Sequence, residues 1–315
     1  MFNKYFRSYP WWLQLVLFVL MTFTMLSFAS VMLFALFPKL SGYTVQQIFS
    51  LDEHSPIGLI RATIIFQGVS SIATFMIPAL LFAYLTHPQP SLYLGITRPK
   101  KPVHLLLAIC IIIGAMPLLS GLEALIGHIN FSADVKAKQE ASEHLTNALL
   151  TMPTAADFIK ALVVMALVPA IGEELFFRGV LMRFAKKKSR TMAFPIVFTA
   201  LVFAFSHTNI YGYASIFLAG LLLAVIYYLT GSLWCSILAH LFFNGTQIVL
   251  TYMSNTNIAL KNFLGGNSLP AYLPIAGAII FAISFYLLYK TRTPLQSGWE
   301  DDYSPAERAY LNKQQ

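Results

Sequence analysis

Residues 157–182 read DFIKALVVMALVPAIGEELFFRGVLM, an apolar run whose second half carries Glu173, Glu174 and Arg178. A bilayer core about 30 Å thick takes roughly 20 helical residues to cross, and this run is long enough to do so. Its apolar residues do not alternate with a period of two, so it is not a strand of a membrane barrel. The stretch therefore predicts a membrane-spanning helix and an all-α fold.

The whole chain has the same character. Of its 315 residues, 57% are hydrophobic and only 11% are charged, and the mean hydropathy is +0.67. Soluble domains have about 45–50% apolar and about 25% charged residues, so a water-soluble enzyme, a disordered chain and a disulfide scaffold are excluded. We predict a polytopic helical bundle of about eight transmembrane helices, at 13–37, 62–85, 103–127, 157–182, 192–207, 211–229, 232–252 and 271–290.

Lysine and arginine set the expected orientation. With eight spans, fourteen of these residues fall on the side of the N-terminus and six on the other. Because cytoplasmic flanks carry the excess of basic residues, we expect both termini in the cytoplasm. The net charge of +8 is then a topology signal, and no nucleic-acid partner is expected.

The chain shows no internal repeat and no second domain. We expect residues 1–290 to form one membrane-embedded bundle, in which 157–250 carries the chemical motifs. The longest outer connection, 128–156, predicts a polar helix that becomes amphipathic near its end. Residues 291–315 are polar, and we expect a loosely ordered cytoplasmic tail.

Few ionisable residues lie at membrane depth. An ionisable side chain at the bilayer centre costs about 2.5–3.5 kcal/mol on insertion scales, so those that occur are candidates for function. Glu123, Glu173 and Glu174 are the acids within the predicted spans, and His207 and His240 are the histidines in comparable surroundings of the second half. Glu123 lies near the outer end of its span, which favours a structural role.

These residues form three short patterns on neighbouring spans. Glu173 and Glu174 precede Arg178, and the spacing of four lets Glu174 and Arg178 pair on one helix face. Glu173 is turned about 100° from Glu174 and is left without that partner. In the other two patterns Phe203 shares a face with His207, and His240 shares one with Asn244.

Helix length brings two of the patterns together. If the fourth and fifth spans form a hairpin that turns at 189–190, Glu173 and His207 each lie about 25 Å from the turn. They then face each other, provided that residues 208–213 do not reach the outer surface. Irregular backbone at depth is tolerated where it lines a cavity, so we expect a polar cavity there.

Taken singly, each pattern is more typical of helix packing than of catalysis. Their order on late membrane helices, E-E-x-x-x-R, F-x-x-x-H and H-x-x-x-N, resembles the CPBP family of intramembrane proteases. This is the Abi family, which includes the type II CAAX prenyl endopeptidases. The resemblance covers about 157–250 and includes all six motif positions.

The resemblance implies hydrolysis of a peptide bond within the bilayer. In that case Glu173 and His207 activate a water, His240 and Asn244 stabilise the oxyanion, and Glu174 and Arg178 support the site. A zinc ion held by Glu173, His207 and His240 is the other possibility. We favour no required metal, because the chain has no H-E-x-x-H motif and the three patterns contain no cysteine ligand.

Other classes remain as alternatives. Motifs of site-2, rhomboid and aspartyl intramembrane proteases are absent from the sequence. A non-catalytic membrane protein, either a bacteriocin immunity protein or scaffold or a proton-coupled transporter, would use the same buried charges. The expected partners are membrane lipid and a hydrophobic or prenylated peptide or protein. Compact loops and no recognisable organelle signal favour the plasma (inner) membrane.

Overall fold

The structure is a computed structural model, and it describes residues 5–264, 270, 272–303 and 307. Its regular structure is helical throughout the described residues, as predicted. The long helices are α1 Trp11–Ser41, α2 Ile57–Thr86, α3 Val103–Gly127, α4 Ala133–Leu149, α5 Ala155–Lys187, α6 Ala193–Phe205, α7 Tyr213–Thr230, α8 Leu233–Ser254 and α9 Tyr272–Thr291. Shorter helical segments are Phe6–Ser8, Val45–Phe49, Pro90–Tyr93 and Ile258–Leu264.

Within the described residues, seven helices are long and apolar enough to cross a membrane, namely all of these except α4 and α6. The one predicted span that is missing from these seven is the fifth, 192–207. It corresponds to α6, which has only 13 residues. At 1.5 Å per residue α6 is about 20 Å long, so its C-terminal end lies within the depth of a bilayer. The chain is a multi-pass membrane protein.

Two helices change pitch where a proline follows. Two segments are π-helical, namely Ile72–Met76 in α2 and Leu162–Leu167 in α5. Each is followed, after one intervening residue, by a proline, Pro78 and Pro169 respectively. Proline lacks an N–H and its ring clashes with the carbonyl four residues earlier, so a wider turn before it relieves the helix. A third π-helical segment, Leu175–Leu181, contains Arg178 and directly follows the two glutamates.

Packing differs strongly among the helices. α1 is barely buried within the protein and exposes Phe23, Phe28 and Val31 to the lipid side, whereas half of the apolar window of α7 is buried. α3 and α9 pack closely because each has a glycine at the crossing. A Cβ on Gly114 would lie 2.8 Å from the carbonyl oxygen of Gly277, so only glycine allows this approach.

The outer connection forms α4, a polar helix that lies across one end of the bundle, and the predicted helix there is confirmed. Beside it, an ion pair joins α2 to the start of α5. Arg61 donates two hydrogen bonds of 2.8 Å to the carboxylate of Asp157. Thr154 caps the same helix, because its hydroxyl oxygen accepts from the backbone N–H of Asp157. This end of the bundle, which α4 covers, is the one predicted to lie on the non-cytoplasmic side.

The tail differs from the expectation of loose order. In its described part, Thr293 and Leu295 donate backbone hydrogen bonds to Leu229 and Tyr228 at the end of α7. Asp302 accepts hydrogen bonds from Lys187 at 2.7 Å and from Gln14 at 3.0 Å. Buried ion pairing therefore holds a polar segment in place, and it brings the described tail beside the start of α1 and the end of α5.

Candidate active site

Glu174 and Arg178 form a fully buried ion pair on α5, as their spacing predicts. Nη1 of Arg178 donates to Oε1 of Glu174 at 2.7 Å, and both side chains have 0% exposure. Nη2 of Arg178 donates to the carbonyl of Gly220 on α7 at 2.8 Å. The ion pair lies within α5, and the hydrogen bond from Arg178 to Gly220 joins α5 to α7. Breaking the pair would leave an uncompensated buried charge.

Glu174 also holds α8. Ser236 donates from Oγ to Oε2 of Glu174 at 2.6 Å, and His240 donates from Nδ1 to Oε1 at 3.0 Å. Both oxygens of Glu174 are therefore occupied, and the carboxylate orients the imidazole. Sequence reasoning missed Ser236, although Ser236, His240 and Asn244 are spaced four apart and share a face of α8.

Glu173 lies beside this network without joining it. Its Oε2 is 3.9 Å from Nε2 of His240 and has no hydrogen-bond partner among the described residues. The residue is 9% exposed and borders a cavity. The expected difference between the two glutamates is therefore present, since both oxygens of Glu174 are hydrogen-bonded and Oε2 of Glu173 is buried without a hydrogen bond to the described residues.

His207 follows the last turn of α6. Its Nδ1 donates to the carbonyl of Phe203 at 2.8 Å, which leaves the lone pair on Nε2 in the neutral ring. The Phe203 ring is central to the cluster, because it lies 4.8 Å from the His207 ring, 5.8 Å from the His240 ring and 4.8 Å from Cζ of Arg178. Phe203 thus separates the charged groups while holding both imidazoles.

The segment after His207 contacts α3 and α4. Asn209 donates to Glu123 of α3 at 2.7 Å, and the backbone N–H of Tyr211 donates to Gln139 of α4 at 3.2 Å. The Tyr211 ring stacks on Phe131 at 5.0 Å. Glu123 therefore supports the segment that carries His207, in line with the structural role expected for it.

A cavity of about 460 Å³ joins these elements. Glu173, His207 and Asn244 line it, while His240 lies behind Glu173 and is not among its lining residues. Asn244 donates to the carbonyl of Met165 at 3.5 Å, a distance at the limit for a hydrogen bond, so its amide is weakly held.

The α2 wall of the cavity is polar, and sequence reasoning did not identify it. Gln67, Ser70, Ser71 and Thr74 line the cavity from one face of α2. Their spacing of three and four in an otherwise apolar helix is the signal that predicts such a face. Gln247, one turn beyond Asn244, completes the polar lining from α8.

The three residues of the alternative zinc site are not gathered into a close set. In the part of the chain that the structure describes, no three His, Cys, Asp or Glu side chains come together so as to hold an ion. Glu173, His207 and His240 thus lie near one another without forming a ligand set. Nδ1 of each histidine bonds to an oxygen of the protein.

The fold and site define a class: a helical multi-pass membrane protein in which a glutamate, a histidine and an asparagine line one cavity, with a second histidine beside the glutamate. Residues 155–246 match the family described as "Type II CAAX prenyl endopeptidase Rce1-like". The match confirms the resemblance to the CPBP family, and at the family level it indicates a CAAX-type intramembrane protease. No curated protein and no solved structure matches the chain.

Proposed function

We propose that this chain is an intramembrane endopeptidase that uses Glu173 to activate water. The observation that carries the proposal is the shared cavity: Glu173, His207 and Asn244 line it from α5, the end of α6 and α8. The three residues are distant in sequence, and polar side chains are costly within a bilayer. Their presence at one cavity therefore favours a functional site.

Glu173 is the proposed base. The residue lines the cavity, and one of its carboxylate oxygens has no hydrogen bond to the described residues. A carboxylate in such a position can take a proton from water as the water oxygen attacks the peptide carbonyl. His207 orients that water through the lone pair on Nε2, since its Nδ1 is fixed on Phe203. Glu173 then passes the proton to the leaving amide nitrogen, so the step needs no other acid.

His240 and Asn244 are the proposed oxyanion donors. In this role the ring of His240 donates a proton on Nε2 to the oxyanion, while Glu174 accepts from Nδ1 and orients the ring. The weakly held amide of Asn244 supplies a second donor. Preorganised donors of this kind are each worth about 3 kcal/mol of transition-state stabilisation.

No metal is required in this mechanism. The test is activity after dialysis of the purified protein against a strong chelator. We expect activity to persist, and loss of activity that zinc alone restores would contradict the proposal.

The cavity also limits the route of the substrate. Thr146 and Leu150 line it, so it extends from Glu173 toward the end of the bundle that α4 covers. The expected orientation has both termini in the cytoplasm and the protein in the plasma (inner) membrane. The end of the bundle that α4 covers is then on the non-cytoplasmic side. The buried Glu174–Arg178 layer separates the cavity from the cytoplasmic end. We therefore propose a hydrophobic peptide or membrane-protein segment as substrate, in preference to a cytoplasmic prenylated C-terminus.

The decisive experiment compares membrane-associated peptides and their termini in cells that carry the intact protein or Glu173→Gln. Glu140→Gln is the matched control, because it makes the same change in an exposed glutamate of α4 that does not line the cavity. We expect new termini to disappear with Glu173→Gln only, while both variants insert normally. A non-catalytic immunity protein, scaffold or transporter would show equal termini in all three.

A further inference from the structure

A second pocket lies at the opposite end of the bundle. It has a volume of about 430 Å³, and we call it the tail pocket because residues 293–299 form one of its walls. The short helix Pro90–Tyr93 and the ends of α5 and α7 form the others. The tail is held there by backbone hydrogen bonds to the end of α7, so the pocket is a built feature of the fold.

Four side chains form a contiguous group in this pocket. The guanidinium of Arg183 lies 4.3 Å from the ring centre of Tyr93 and 4.7 Å from that of Trp299. The Trp299 ring meets the Tyr227 ring edge-on at 5.9 Å. Tyr93 and Tyr227 are 1% and 0% exposed and Arg183 is 4% exposed, so the group belongs to the interior.

Each member of the group has a buried polar atom without a partner. The hydroxyls of Tyr93 and Tyr227, Nε of Arg183 and Nε1 of Trp299 make no hydrogen bond to any described residue. Buried polar atoms are nearly always bonded, so four exceptions around one pocket need an explanation. The arginine and tryptophan nitrogens can only donate, so a ligand that satisfies them must supply acceptor oxygens.

The charge around the tail pocket has one dominant sign. Arg98 and Lys100 line it from exposed positions, and Arg183 lies inside. Asp301 is the one acidic residue among the described lining residues. A ligand with acceptor oxygens and negative charge fits this balance. Burial raises the pKa of Tyr93, so its hydroxyl keeps the proton that it would donate.

We propose that the tail pocket binds a phosphate group through Tyr93, Tyr227, Arg183 and Trp299. The several oxygens of a phosphate can accept from all four donors at once, and Arg98 and Lys100 provide the attraction at the mouth. The pocket is larger than a phosphate alone, so a phosphate with an attached group fits it. The source is either the headgroup of an anionic lipid or a soluble phosphate, and this site is independent of the proposed proteolysis.

The test is thermal unfolding of the full-length protein in dodecyl maltoside, which contains no phosphate. Three probes are added separately: phosphatidylglycerol, diacylglycerol with the same acyl chains, and inorganic phosphate. We expect phosphatidylglycerol to raise the unfolding temperature saturably and diacylglycerol to leave it unchanged. An equal, saturable shift with inorganic phosphate would identify a soluble phosphate as the source.

Variants that remove only a hydroxyl connect the shift to the pocket. Tyr93→Phe and Tyr227→Phe are each expected to raise the half-saturating probe concentration about tenfold, as for a hydrogen bond to a charged group. Without a probe, both variants should unfold no earlier than the intact protein, because the lost hydroxyl is unpaired. Tyr84→Phe is the control, since Tyr84 is 50% exposed on α2.

Two results would overturn the proposal. One is a shift that is absent with both phosphate probes, or that is equal with diacylglycerol. The other is a shift that Tyr93→Phe and Tyr227→Phe leave unchanged, because the phosphate would then bind elsewhere.

Discussion

The two pockets are nearly equal in volume, about 460 Å³ for the cavity at Glu173 and about 430 Å³ for the tail pocket, but their polar groups are arranged in opposite ways. Beside the cavity, Glu174 accepts three hydrogen bonds from protein side chains. In the tail pocket, four buried donor atoms have no partner among the described residues. The first arrangement is aligned by the protein itself, and the second is one that a ligand completes. Substitutions should therefore act mainly on stability and catalysis at the first site and on ligand binding at the second.

The largest expected effect is that of Arg178→Met. This change leaves Glu174 as a buried, uncompensated charge, so the free energy of unfolding should fall by about 3–5 kcal/mol. Arg183→Met in the tail pocket is the comparison, because the Arg183 guanidinium packs on the rings of Tyr93 and Trp299 and donates to the neutral carbonyl of Trp299. Its cost should be about 1–2 kcal/mol. Unfolding of both purified variants measures the difference, and equal costs would contradict the contrast between the sites.

A smaller effect is expected for Asn244→Ala, and it should appear in catalysis. If the amide is an oxyanion donor, kcat should fall by about 100- to 1,000-fold. The unfolding temperature should hardly change, because the bond from Asn244 to Met165 is 3.5 Å long. Gln247→Ala, one turn further along the same cavity wall, is the matched control and should keep nearly full activity. If the two variants lost activity equally, cavity shape would explain the loss better than a donor role.

Ser236→Ala should cost about 2 kcal/mol of unfolding free energy, because Ser236 donates to a buried carboxylate. Ser215→Ala removes a buried hydroxyl that donates at 2.8 Å to the neutral carbonyl of Leu119. Its cost should be nearer 1 kcal/mol. The two variants share residue type, burial and the atom removed. A Ser236→Ala cost no larger than that of Ser215→Ala would indicate that Glu174 is held by Arg178 and His240 alone.

Hydropathy predicts most of this fold because lipid forces every apolar run into a helix that satisfies its own backbone. The short α6 was predicted as a span. Its length of 13 residues is explained by the contacts that the following segment makes with α3 and α4, and these contacts are not visible in hydropathy. The packed tail was missed because its composition is polar. Its order depends on Asp302 meeting Lys187 and Gln14, which are distant in sequence.

The candidate site was predictable where charge made a residue costly at membrane depth. Glu173, Glu174 and Arg178 were identified in this way, and the pairing of the last two is confirmed by their 2.7 Å contact. Ser236 and the polar face of α2 escaped because neutral hydroxyls and amides are common in membrane helices. The roles proposed for Glu173 and His207 remain predictions that only activity can test.

The smallest expected effect concerns protons in the tail pocket, which His87 lines. Burial lowers the pKa of His87, the nearby Arg183 lowers it further, and Asp302 and Glu307 act in the opposite sense. Because the folded protein then holds a proton on His87 less readily than the unfolded chain, this residue should reduce stability as the pH falls below about 6.5. His87→Gln should remove that part of the pH dependence and change nothing above neutral pH, whereas His54→Gln, at an exposed position, should behave as the intact protein does. Unfolding temperatures between pH 5 and 8 measure the difference between the curves.

A phosphate bound beside the His87 ring would favour its protonated form. Phosphatidylglycerol should therefore flatten the dependence of the unfolding temperature on pH in the intact protein and have no such effect in His87→Gln. If the lipid left this pH dependence unchanged, the bound phosphate would be too far from His87 to act on its protonation.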